Sequence, residues 1–563
     1  MINNDLVQVL LYIGCLVILT PPLGLYCARV LNGEKTFLTA FLGPLEKLFY
    51  RLSGINSCAE SDWKGYAKDL LVFNAVGFGV LFLMQIFQNY LPLNPNHAGN
   101  ISWHSAFNTA VSFVTNTNWQ AYAGETAMSY LVQMAGLGVQ NFVSAATGIA
   151  VFAALTRGIV RRQSGLLGNF WADTLRATLY ILLPLSFVLA LFLAGEGVIQ
   201  NFSRNREIVT VESVSQTLPM GPAASQIAIK QLGTNGGGYF NANSAHPFEN
   251  PTPLSNFLEM LAILLIPSAL VYSYGVLTGA KKHAYVLYGI MLAVFLAGFG
   301  ASLYCEHAAG RVAGVNLMEG KETRFGIVNS VLWSCATTAA SSGSVNAMHS
   351  SLSPLSGGVA LFNMMLGEII FGGVGAGMYG MLLFVMLAVF LAGLMVGRTP
   401  EYMGKKIEKR EIQMVITGVL APSVAILAGT ALACVLPVAL SSLSAKGPHG
   451  FSELLYAFTS AGANNGSSFA GLNANTVFYN TALGAGMLIG RFGVIIPCLA
   501  VAGSLSAKQA AARSSGTMPT DSVTFAVLLL GVIVIVGALT FFPALSLGPV
   551  IEHFMFINGT VAF

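Results

Sequence analysis

Ten long apolar stretches confine this chain to one environment. They lie near 5–28, 66–90, 130–155, 172–195, 255–277, 284–306, 358–396, 412–440, 476–506 and 521–543. A helix that crosses a bilayer needs about 20 mostly apolar residues, because each backbone N–H and C=O must find its partner within the segment. Only 9% of the 563 residues are charged, against about 25% in soluble domains. A water-soluble multidomain enzyme is thereby excluded, and an all-α polytopic membrane protein with ten transmembrane helices is predicted. The first stretch opens MINNDLVQV, with Asp5 and no positive lead, so it reads as a retained helix and not a signal peptide. A net charge of +4 gives no reason to expect a nucleic-acid partner. The seven cysteines are scattered without a CxxC pair, and neither a zinc site nor a disulfide framework is expected.

Loop charge sets the orientation. With the N-terminus outside, the inner connections hold 18 Lys and Arg, among them Arg29, Arg157, Lys405, Arg398 and Arg513. The outer connections hold seven, including Arg204, Lys230, Lys321 and Arg324, and residues 91–129 hold none. Both termini are expected outside. Arg176 stands at a helix entrance and Arg491 within the ninth stretch.

Four outer connections do not read as loops. Each carries an amphipathic stretch of about three helical turns, too short to span, which runs into Gly, Asn, Ser and Thr. The stretches are SWHSAFNTAVSFVTNTNWQAY, AASQIAIKQLGTNGGGYF, RFGIVNSVLWSCATTAASSGSV and FSELLYAFTSAGANNGSSF. An apolar helix follows each one, so the pattern helix, short helix, polar turn, helix occurs four times. This divides the chain into a first span with its inner loop (1–65), pore units at 66–160, 161–280, 281–411 and 412–515, and a last span with an outer C-terminus (516–563). A short helix dipping from outside points its unpaired carbonyls and partial negative charge at the membrane interior. The turn after it must climb back with carbonyls exposed, which is tolerated where backbone lines a cavity. Glycine permits the positive φ such turns use, and Asn and Ser can hold them by side-chain bonds. Four pseudo-symmetric turns around one central pore would replace the hydration shell of a monovalent cation. Their lack of carboxylates disfavours a divalent ion.

The chain resembles the KdpA family, the potassium-translocating components of bacterial Kdp ATPases, in the superfamily of potassium transporters built from four helix, pore-loop, helix units. The resemblance rests on FVTNTNWQAY (113–122), LGTNGGGYFNANSAHPFENPTPL (232–254), NLMEGKETRFG (316–326), GEIIFGGVGAGMYGMLLFV (367–385), GRTPEYMGKKIEKRE (397–411), GPHGFSELLYAFTSAGANNGSSFAGL (447–472) and GRFGVIIP (490–497). It covers essentially the whole chain. It implies the K+-selecting component of a high-affinity uptake complex in a bacterial cytoplasmic (inner) membrane, among membrane lipids. The implied partners are KdpB, a P-type ATPase that hydrolyses ATP, together with KdpC and KdpF, with K+ as the transported ion and no organic cofactor. The positions matching the family's filter are Asn116, Thr117 and Asn118, then Thr234, Asn235 and Gly236, then Ser342 and Gly343, then Asn465 and Gly466. Backbone carbonyls are expected to carry the selection. The first turn has no glycine between Thr115 and Gln120, so a fourfold-equal filter is not expected.

Arg491 lies too deep in MLIGRFGVIIP for easy snorkelling, and an unpaired arginine there costs at least ~2.5 to 3.5 kcal/mol. Glu368 is its best partner candidate, just before GGVGAGMYG (372–380) breaks the seventh helix. Arg491 is expected below the filter, where it would block straight passage and turn the ion toward KdpB. The run with Gly372, Gly373, Gly375 and Gly377 would form a constriction. Its formal GxGxxG match lacks the preceding strand of a dinucleotide site. No DKTGT or GxxxxGK[ST] string is present, so ATP hydrolysis is expected of a partner. The alternatives are a channel or symporter of the same superfamily driven by the membrane potential, and a membrane-embedded enzyme, for which no acid, base or metal constellation is visible.

Overall fold

Capping chemistry sets where the spans begin. The side chains of Asp62, Thr252, Thr476 and Ser522 accept the first free amides of the helices that follow, which satisfies donors a helix start leaves open. The computed structural model describes residues 2–397, 399–510 and 518–560; Arg398 and Arg513, counted above toward the inner loops, lie outside the described residues. Among the described residues ten helices are long and apolar enough to cross a membrane: Asn4–Leu31, Trp63–Ile86, Val132–Val160, Phe170–Gly195, Pro253–Thr278, Lys281–Ala313, Ala376–Met395, Lys409–Val435, Val477–Ala507 and Val523–Ile557. The third and fifth are the most enclosed, whereas the first, second and eighth turn most of their length outward. Span one packs along span five, and span nine lies between spans eight and three.

Two spans depart from the sequence reading. The seventh stretch is two helices, Pro354–Met365 and Ala376–Met395, joined by non-helical backbone. The break therefore comes earlier than the expected 372–380, and Gly377 is already inside the second helix. The tenth span continues past 543 to Ile557, through a widened turn at Ser546–Val550 that contains Pro549. The connection between the first and second spans also holds a helix, Thr39–Ser53, with Phe41, Leu48 and Leu52 exposed. That apolar face suits the membrane boundary.

The connections assigned to the inside gather on one face. Arg161 pairs with Glu60 (2.6 Å), Arg176 with Glu46 (2.9 Å) and Lys508 with Glu408 (2.9 Å). Lys405 is buried there and donates to the carbonyls of Gly158 (2.9 Å), Leu505 (2.7 Å) and Arg161. These carbonyls belong to the ends of spans three and nine, where helices leave acceptors unpaired. Burial, with Arg162 and Lys508 nearby, pushes the Lys405 ammonium down to about 8.

Candidate functional site: a ring of four helix ends

The four short stretches form helices Trp103–Val114, Ala223–Leu232, Gly326–Ala339 and Gly447–Gly462, and all four end alike. Asn116, Thr234, Ser341 and Asn464 take left-handed φ values of 63°, 50°, 52° and 50°. The next amide then reaches back five residues: Thr117 to Ser112 (2.9 Å), Asn235 to Lys230 (2.9 Å), Ser342 to Thr337 (3.0 Å) and Asn465 to Ser460 (2.8 Å). This is the Schellman helix end, which usually places glycine at the left-handed position.

Four non-glycine residues stand there because their side chains act elsewhere. The Asn116 amide donates to the carbonyls of Gly233 (3.3 Å) and Thr234 (3.4 Å), and Asn464 donates to the Thr117 hydroxyl (2.9 Å). Ser341 donates to the Ala463 carbonyl (2.7 Å), and the Thr234 hydroxyl accepts from the Val374 amide (3.0 Å). Further bonds join neighbouring turns: Asn235 to Asn116 (2.7 Å), the Gly343 amide to the Asn235 carbonyl (3.4 Å) and Asn465 to the Thr337 carbonyl (3.1 Å). Every seam of the ring, first to second, second to third, third to fourth and fourth to first, is thus hydrogen-bonded.

Two residues beyond each left-handed position stand Asn118, Gly236, Gly343 and Gly466. All four line the floor of a cavity of about 710 Å³. A Cβ on Gly236 would fall 2.0 Å from the Gly343 amide nitrogen, and one on Gly466 would fall 1.9 Å from the Thr117 carbonyl oxygen. Glycine is required at both positions, where φ is also 82° and 97°. Asn118 adopts φ 57° without glycine and donates to the Asn141 side chain; asparagine tolerates this region better than other side chains. Gly343 lacks a positive φ, so the third turn, and not only the first, breaks fourfold equality. All ten filter positions named from the sequence meet in this ring. Ser341 and Asn464 were missed, although aligning the four turns on their polar clusters would have found them.

On the side away from the cavity lies the broken seventh helix. Its backbone turns sharply, with positive φ at Gly367, Glu368, Phe371, Gly372 and Gly375. The Gly372 amide donates to the carbonyl of Ala339, the last residue of the third pore helix (2.9 Å). Gly375 touches the third span so closely that a Cβ would sit 2.1 Å from the Gly148 carbonyl oxygen. Arg491 is buried in this layer, at 4% exposure. Its guanidinium donates to the Ser144 carbonyl (3.1 Å) and the Tyr379 hydroxyl (3.3 Å), while Nε has no partner among the described residues.

The expected ion pair with Glu368 is not formed. Glu368 sits at a left-handed turn beside Gly373, and Arg491 and Glu368 face each other across a cavity of about 30 Å³ that Asn464 also lines. Tyr379 and Ser144 were not singled out from the sequence. Ser144 belongs to a polar stripe on the third span, Gln140, Asn141, Ser144 and Thr147, whose helical spacing was the available signal. Lys230 and Lys321, counted as outer-loop charges, are fully buried and paired with Glu249 and Glu306. Among the described residues no cluster of three His, Cys, Asp or Glu side chains could hold a metal ion.

Ten apolar spans arranged about four pore helices, whose turns close into one ring, define a multi-pass membrane transporter with four pore-loop units. The same fold is found in the potassium transporter TrkH from Vibrio parahaemolyticus, at a TM-score of 0.54 and 15% identity, over 77% of this chain and 84% of that one. Residues 10–554 match the family described as the potassium-transporting ATPase A subunit, and the chain belongs to that family. Among its relatives are the potassium-transporting ATPase potassium-binding subunits of Rhodospirillum centenum, 56% identical over 100% of this chain and 99% of that protein, and of Leptospira interrogans, 55% identical over 99% and 100%.

Proposed function

We propose that this chain binds K+ from the outer side of a bacterial cytoplasmic membrane in the four-turn ring and passes it to a P-type ATPase partner. The observation that carries the reading is the ring itself: four helix ends of one geometry, tied at every seam, forming the floor of an open cavity. Helix C-termini bring partial negative charge to it, and carbonyl-bearing turns can replace the water shell of a monovalent cation. The names of the relatives favour K+ and an ATPase partner. KdpC and KdpF complete the assembly with KdpB, and both termini lie outside, in keeping with the excess of Lys and Arg on the opposite face.

Beneath the ring, Arg491 opposes straight passage of a cation and the backbone turn at Gly372, Gly373 and Gly375, continuing into Gly377, narrows the path. The ion leaves sideways toward the ATPase partner. The test is to replace Gly236 with Asp or Ser in the assembled complex and measure potassium-stimulated ATP hydrolysis and rubidium uptake. Weakened apparent K+ affinity or admission of other monovalent cations, with assembly intact, is expected; wild-type kinetics in both variants contradict the reading.

A further inference from the structure

One ring carbonyl is held by a charged network that, among the described residues, the other three turns lack, and Asn243, which makes the contact, also borders the cavity. Asn243, itself at φ 53°, donates its amide to the Gly236 carbonyl oxygen (2.9 Å). Its own Oδ1 accepts from Lys230 Nζ (2.9 Å), from the Ser244 amide (2.9 Å), and from the Ser344 hydroxyl and Val345 amide of the third turn (both 3.3 Å). Lys230 is buried at 0% exposure, and its ammonium is paired with the equally buried Glu249. The same lysine holds the other side of the turn, because its backbone carbonyl accepts the amides of Asn235 (2.9 Å) and Gly236 (3.3 Å). At the equivalent place the other pore helices carry Ser112, Thr337 and Ser460, each too short to reach across a loop.

We propose that Asn243, braced by Lys230 and Glu249, is a positioning residue that fixes the direction of the Gly236 carbonyl and so sets cation affinity and discrimination at the ring. This rests on the reading of the ring as the cation filter. A carbonyl oxygen has two lone pairs. One is committed to the Asn243 amide, which leaves the other to face the pore. The brace is costly to dismantle, since a buried charge stripped of its partner destabilises strongly. The Asn243 amide hydrogens can be removed with the acceptor oxygen kept.

Asn243→Asp retains size and the acceptor for Lys230, loses the donor, and turns an oxygen toward the Gly236 carbonyl. Asn243→Gly removes the side chain at a φ that glycine accepts. In the assembled complex each variant is expected to raise the K+ concentration for half-maximal ATP hydrolysis at least about fivefold, the worth of one hydrogen bond, and to narrow the ratio of K+ to Rb+ affinities, with kcat within about twofold. Unchanged half-saturation in either variant overturns the proposal, as does a fall in kcat with affinity kept. Failure of both variants to assemble also counts against it, because a positioning residue does not hold the complex together. Gly236→Ala measured alongside separates the two readings: if it alone changes affinity, the ring stands and the brace fails; if it too is silent, the filter reading itself fails.

Discussion

The ring of turns and the layer beneath it are neighbours built on opposite terms. The ring-lining turns carry no ionised side chain of their own, and every seam is hydrogen-bonded through Asn116, Asn235, Ser341, Asn464 or Asn465. The layer beneath holds Arg491 and Glu368, facing across a small cavity without pairing, and Arg491 Nε lacks a partner among the described residues. Within the ring only the Asn118 and Asn235 side-chain oxygens lack a partner among the described residues, whereas in the layer below two opposite charges stand apart; a bonded polar network is the more rigid of the two. On the proposed function, recognition belongs to the ring and control of passage to the layer below.

The largest effect expected is in the ring. Gly466→Ala places a Cβ 1.9 Å from the Thr117 carbonyl oxygen at φ 97°. Strain of that kind costs about 1–3 kcal/mol, so apparent K+ affinity, measured by potassium-stimulated ATP hydrolysis, should fall by on the order of 100-fold. A smaller and different effect is expected below. Arg491→Gln should leave half-saturation by K+ near wild type but cut uptake per ATP hydrolysed about tenfold, equivalent to about 1.4 kcal/mol of barrier. Unchanged uptake and unchanged coupling would remove the assigned role of the arginine, and a large affinity change would erase the division between the two layers. The smallest effect is at Asn118. Asn118→Gly accepts the same φ at no steric cost and loses one bond to Asn141, so affinity should move less than about fivefold. Asn118→Val should do much worse, because a β-branched residue is a true outlier there. Equal behaviour of Gly and Val at 118 would show that backbone conformation is not what the first turn demands.

The sequence made the spans and the four turns legible for a simple reason. Apolar length and clusters of Gly, Asn, Ser and Thr are local signals, so Thr234–Gly236 and Asn465–Gly466 could be placed before any contact was known. Partners are not local. Lys230 reads as one polar residue of an amphipathic helix, and only the fold of the following loop brings Glu249 and Asn243 to it. Arg491 likewise finds Ser144 and Tyr379 from two other units, and the nearest obvious acid, Glu368, faces it across a small cavity without forming an ion pair. The break in the seventh helix was expected at its richest glycine run, yet it starts upstream at Leu366, where the chain passes beneath the ring.

Lys405 has a consequence for the order in which the molecule can be built. Its ammonium collects carbonyls from the end of the third span, Gly158 and, just beyond it, Arg161, and from the end of the ninth, Leu505. More than 300 residues separate these two groups along the chain, yet they form adjoining walls of the pore. A chain that stops before the ninth span lacks the Leu505 carbonyl and the helix that packs along the third span. The wall closes when the ninth span emerges and its terminal carbonyl joins the others on this one nitrogen, so the last pore unit to be synthesised is also the one that seals the first.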